Sequence, residues 1–126
     1  MLTTARGGNR GAGLAMDFAQ EQAGDVTVVR LAGRLDSSTA PPAESSFARV
    51  LDGDPPRLAI DLSGLEYISS AGLRVLLVVA KKVQQAKGKV VLFGLLPNVR
   101  EVFAISGFDK ILTIQADAAA AVAAAR

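Results

Sequence analysis

Two hydrophobic rhythms alternate along this chain: short β-branched runs that suit strands, and the three-to-four spacing of amphipathic helices. Residues 16–22 and 25–31 are two strand-like runs separated by Ala23 and Gly24, a hairpin signal, with Val26, Val28 and Val29 strengthening the second. A helix is predicted over 39–51. Pro41 and Pro42 fall in its first turn, where absent N–H groups do no harm, and Ala43, Phe47, Val50 and Leu51 share its apolar face. Residues 52–56 (DGDPP) then read as a turn, and 57–62 as a short strand buried on both faces. The longest helix is predicted from Ser70 or Ala71 to residue 87, with Leu73, Leu76, Leu77, Ala80 and Val83 at core spacing. Val75, Val78 and Val79 widen that arc, so the helix should touch more than the sheet, either a neighbouring helix or a partner. Gly88 is expected to cap it. A strand over 89–94, a helix over 98–106 ended by Gly107, a strand over 110–114 and an alanine-rich helix from 116 complete the pattern, with Asp117 in the first turn of the last helix.

The resulting order, β-β-α-β-α-β-α-β-α, predicts one α/β domain over 14–126: a mixed, mainly parallel sheet of four to five strands, about four helices and right-handed crossovers. Residues 1–13, rich in Gly, Thr and Arg without periodicity, read as a flexible tail or a leader. With 126 residues the chain can bury one core. At 50% hydrophobic and 5% aromatic residues, that core must rest on Val, Leu, Ile and Ala.

Composition removes whole classes of chemistry. Cys and His are both absent, so disulfides, thiolate metal sites, cysteine nucleophiles and the commonest general base are excluded. A hydrolase would have to rely on Asp36, Asp61 or a lysine near Ser70. Two of the fourteen basic residues, Arg6 and Arg10, sit in the first thirteen positions, which leaves twelve to balance twelve acidic ones. The predicted domain is thus electrically balanced, and no basic stripe with interleaved aromatics supports nucleic-acid binding. Lys81, Lys82, Lys87 and Lys89 cluster where a helix ends, a placement that suits the helix dipole and reads as a solvated face. No segment approaches the eighteen apolar residues of a membrane span, so a cytoplasmic protein without a membrane partner is expected.

The chemistry that remains lies between residues 58 and 73 (LAIDLSGLEYISSAGL), where a strand runs into a polar turn directly before the longest helix. A serine there can cap the helix, close to unpaired N–H groups and the positive end of the dipole. Asp61-Leu62-Ser63 together with the run from Tyr67 to Leu73 resembles the signature of the STAS domain family, named for sulphate transporters and anti-sigma-factor antagonists. Gly33-Arg34-Leu35-Asp36 resembles that family's second landmark, a Gly-x-Leu-Asp at a strand end. The two together span roughly Met16 to Ala124.

The resemblance implies the STAS fold and a partner-binding switch rather than an enzyme. On that reading the unphosphorylated domain binds a kinase-type anti-sigma factor, and the kinase, using its own ATP and magnesium, phosphorylates Ser70 two positions before Gly72. A serine phosphatase reverses the mark. The domain itself needs no cofactor and is expected as a monomer or weak dimer. Ser70 could also serve simply as the helix N-cap, and Ser69 is the second acceptor. Many family members carry Asp at the position of Ser69 and Ser at that of Ala71, so the carboxylate beside the acceptor is lost here. Asp36 is either part of the partner site or an Asx-turn residue, while Asp61, at a strand end, is read as structural. Gly72 either admits a partner's backbone or is a tolerated first-turn glycine, and Gly33 and Gly64 read as turn residues. Asp36, Ser69, Ser70, Ala71, Gly72 and Arg74 form the expected partner surface. The alternative keeps the fold without the phosphorylation, as a scaffold subunit of a transporter or signalling assembly.

Overall fold

The computed structural model describes residues 5–6, 16–51 and 55–126. Strands β1 (Ala5–Arg6), β2 (Met16–Ala23), β3 (Val26–Leu35), β4 (Arg57–Ile68), β5 (Lys89–Phe93) and β6 (Thr113–Gln115) lie side by side in chain order in one mixed sheet. The five strands from β2 to β6 match the expected sheet. β1 adds a two-residue antiparallel pairing, Ala5 with Gln20 and Arg6 with Ala19, and the rest of the segment read as a tail lies outside the described residues. β2 and β3 form the hairpin around Gly24, whose φ of 63° suits its tight turn. The pairings of β3 with β4, β4 with β5 and β5 with β6 are parallel, as their helical crossovers require.

Helices α1 (Ala40–Val50), α2 (Ser70–Gln85) and α3 (Pro97–Ser106) contribute to the main core, and α4 (Ala118–Ala125) to a second cluster on the other face of the sheet. Alternation along the strands feeds both: Val29, Leu31, Leu58, Ile60 and Leu92 join Phe47, Leu76, Val83 and Phe103, while Val26, Val28, Ala59, Val91 and Phe93 meet Ala121 and Ala125. Phe18 and Phe47 meet edge to face at 5.1 Å in the larger core. The wide apolar arc of α2 is explained within the chain, since α1 packs against it as well as the sheet.

Several expectations need correction. β4 does not stop at Leu62 but continues to Ile68. Register shifts opposite Arg30/Ala32 and Gly33/Arg34 let β4 run ahead of β3, so its buried residues fall at Leu62, Leu65 and Ile68, a spacing of three that hides a strand. Consequently Asp61 sits within the strand rather than at its end, and Gly33 and Gly64 mark the shifts rather than turns. Gly33 has φ of 99°, and a Cβ on Gly64 would lie 3.0 Å from Ala32 Cβ. Next, the left-handed residue closing α2 is Lys87 (φ 62°), not Gly88. Gly88 N–H donates to Val83 O and Lys87 N–H to Gln84 O, at 2.8 and 3.0 Å, the two bonds of a Schellman closure. The last strand begins at Thr113, not 110, because Phe108–Lys110 coil into a 3₁₀ turn. Finally, Asp117 is the N-cap of α4, its Oδ1 accepting from Ala120 N–H at 2.9 Å. Of the DGDPP turn, residues 52–54 lie outside the described residues, and Pro56 O accepts from Lys89 N–H at 3.0 Å.

Candidate functional site at the ends of β3 and β4

The parallel ladder of β3 and β4 extends one bond past Ile68: Ser69 N–H donates to Leu35 O at 2.9 Å. This pins the start of α2 to the end of β3. Ser69 keeps an extended backbone (φ −101°, ψ 178°), and its Oγ accepts from Gly72 N–H at 3.3 Å. Ser69 is therefore the N-cap, the role open to Ser70 in the sequence. Ser70 is the first helical residue, exposed, with no side-chain hydrogen bond among the described residues. One serine holds the helix while the next presents a free hydroxyl to solvent.

Gly72 is buried, and its hydrogen answers a packing demand from inside the chain. A Cβ there would stand 2.6 Å from Leu35 O and 2.9 Å from both Ile68 Cγ1 and Leu35 Cγ. Within the chain, what approaches Gly72 so closely is the end of β3. Arg74 is exposed, and Ala71 is half-buried against the edge of the main core. With Val75 and Val78 of α2 and Ser37, Ala40, Pro41 and Glu44 of the facing segment, they line a groove of about 220 Å³ between α1 and α2. A larger depression of about 400 Å³ lies at the opposite end of the sheet, beside Gly88 and Ile111, away from the serines.

Asp36 takes the Asx-turn role. Its Oδ1 accepts from Ser38 N–H at 2.9 Å, Ser38 Oγ at 2.7 Å and Thr39 N–H at 3.2 Å. Buried Thr39 returns the favour: its Oγ1 accepts from Asp36 N–H and donates to Arg34 O, both at 2.9 Å. The Ser38 hydroxyl chiefly, then the turn's N–H groups and the Arg34 charge, outweigh desolvation and hold the Asp36 carboxyl below the usual range. The turn fixes the approach of α1 to α2 and so shapes the groove. Asp61 works elsewhere. Its Oδ1 accepts the Ser63 N–H at 2.9 Å and its Oδ2 pairs with Arg30 Nε at 3.1 Å, on the sheet face that α4 partly covers. Burial alone would raise its pKa, but the bonds from Ser63 and the Arg30 charge bring it below the usual value.

One contact escaped the sequence reading, although both of its residues lie in the quoted motifs. Arg34 lies over the Tyr67 ring at 4.2 Å and reaches Asp36 Oδ2 at 3.6 Å, so a stacked cation borders the loop. The signal was available in Tyr67, an aromatic at a polar strand end that is 40% exposed. Among the described residues no cluster of His, Cys, Asp or Glu could hold a metal ion, and no helix is long and apolar enough to cross a membrane.

The STAS domain family matches residues 17–121. The chain belongs to that family. Among its relatives, BtrV of Bordetella bronchiseptica, named as a candidate anti-sigma factor antagonist, is 41% identical over 86% of this chain and 94% of its own. RsfB of Mycobacterium tuberculosis, named an anti-sigma-F factor antagonist, is 32% identical over 68% and 69%. The crystal structure of an anti-sigma factor antagonist from Mycobacterium paratuberculosis superposes with a TM-score of 0.80 at 30% identity, covering 88% of this chain and 94% of that one. Within this STAS domain, the serines, the groove and the Asp36 turn gather at one end of the sheet, where the parallel strands deliver their C-terminal ends.

Proposed function

We propose that this STAS domain is an anti-sigma-factor antagonist controlled by phosphorylation of Ser70. Unphosphorylated, it binds a kinase-type anti-sigma factor through the surface formed by Ser70, Ala71, Arg74 and the groove beside them. The kinase transfers the γ-phosphoryl group of ATP to Ser70 Oγ, ADP leaves, and a base of the kinase takes the hydroxyl proton. A serine phosphatase returns serine and inorganic phosphate. The regulatory names of the relatives support the partner class. The observation that carries the choice of Ser70 is the division of labour between neighbours: Ser69 Oγ is engaged in capping, whereas Ser70 is exposed and its Oγ is unengaged among the described residues.

The physics of a switch follows from that position. A phosphate adds about −1.5 to −2 charges, which a helix N-terminus tolerates in water. Pressed against a partner, the same charge loses its hydration, so modification acts on the complex more than on the fold. Incubation with the cognate kinase and ATP, followed by intact mass, should add one phosphate to the wild type and to Ser69→Ala, and none to Ser70→Ala. Labelling that persists in Ser70→Ala would defeat the assignment.

A further inference from the structure

Arg74 follows Ser70 by four residues on α2, one helical turn along the same face. Both side chains are exposed, and neither has an ion pair or side-chain hydrogen bond among the described residues. Helical side chains lean toward the N-terminus, so position 70 lies within the sweep of the Arg74 side chain. An acidic group four residues before a base is also the favourable order on a helix. The unmodified protein thus carries the basic half of such a pair without the acidic half.

Arg74 has a second situation as well. It lines the groove between α1 and α2, where among the described residues Glu44 is the only other charged one, and the two form no ion pair. Nearby, Arg34 and Asp36 are engaged with each other, and Asp36 also with the Asx-turn. Arg74 is therefore the one cation of the groove that is free to move to a new anion. A guanidinium presents paired N–H donors that match two phosphate oxygens, which a lysine would not.

From this we infer that Arg74 is the intramolecular counter-ion of phosphorylated Ser70. On modification the guanidinium swings from the groove wall to the phosphate. The event changes two things at once: it adds negative charge at the start of α2, and it withdraws the cation that the groove offers an acidic group of the partner, leaving Glu44 alone. This inference rests on Ser70 being the modified residue, and it assigns to Arg74 a positioning role in the switch.

The test needs neither kinase nor partner. Phosphoserine is placed at position 70 during translation, in the wild type and in Arg74→Gln, and the phosphate is titrated by ³¹P NMR. The helix dipole acts equally on both proteins. An ion pair to Arg74 should lower the second phosphate pKa of the wild type by about 0.3 unit or more relative to Arg74→Gln. That difference should shrink at high salt, and Arg74→Lys should retain part of it. The Arg74 Nε–H resonance should move downfield only in the phosphorylated wild type. Equal pKa values in the wild type and Arg74→Gln, with an unmoved Nε–H resonance, would overturn the inference while leaving phosphorylation of Ser70 untouched. Absence of kinase labelling at Ser70 would overturn the proposed function instead.

Discussion

Ser69 and Ser70 are chemically identical, and only their geometry separates them. An extended backbone at Ser69 turns its hydroxyl onto the Gly72 N–H, and the helical backbone of Ser70 leaves its hydroxyl in solvent. Charge at position 70 is then judged by two environments. In the free domain the helix N-terminus favours it by about 0.3–1 kcal/mol. Against a partner it loses hydration and costs several kcal/mol. The second effect wins, and a penalty of about 3 kcal/mol corresponds to more than a hundredfold in affinity. Ser70→Asp should accordingly stay folded by circular dichroism yet bind the anti-sigma partner over a hundredfold more weakly than Ser70→Ala in calorimetry; equal affinities would end this account. Gly72 sets a steric limit beside the switch. Because a Cβ would press on Leu35 O, which cannot rotate away, Gly72→Ala should destabilise the domain by about 1–3 kcal/mol in urea unfolding.

Helix α2 illustrates how far sequence alone could reach. Its core spacing and its start at the serines were legible because an apolar arc and a capping residue are local signals. Its end was only half legible: Gly88 drew the capping role by composition, yet Lys87 occupies the left-handed position while Gly88 serves a different need. A Cβ on Gly88 would collide with Pro56 O, a contact between segments distant in the chain that no local pattern encodes. β4 was missed for a related reason. Its register shifts break the period of two, and they arise from pairing with β3, so Leu62, Leu65 and Ile68 do not read as one strand. The stacking of Arg34 on Tyr67 was missed because it exists only once those strands align. The two residues at the end of α2 should therefore respond oppositely. Lys87→Gly relieves a left-handed backbone that costs an L-residue about 1–2 kcal/mol, partly offset by the entropy of glycine, and should raise Tm by about 2–3 °C. Gly88→Ala should lower Tm by more than that, because the Pro56 carbonyl blocks the new methyl group.

The two carboxylates with lowered pKa values lie on different parts of the sheet and give the whole molecule a common response to acid. Asp36 fixes the turn between β3 and α1, and Asp61 holds a register shift between β3 and β4. In each the folded state prefers the charged form more than the unfolded chain does, so each contributes stability that is present above the ordinary carboxylate pKa of 3.8 and is lost as pH falls through the lower folded value. Asp36 is solvated and its share is small. Asp61 is buried, with its side chain 10% exposed, though Arg30 opposite is 52% exposed and partly screened. Hydrogen bonds to a charged group contribute about 1.5–3 kcal/mol, which the exposure of Arg30 reduces to about 1–2 kcal/mol for this cluster. Asp61→Asn should thus lose about that much in urea unfolding at neutral pH. The gap between variant and wild type should close as pH drops below 3.8, where the wild-type carboxylate takes up its proton as well. A loss that stays constant from pH 7 to about pH 3 would mean that the shape of the side chain, and not its charge, holds the β3–β4 register beneath the serine loop.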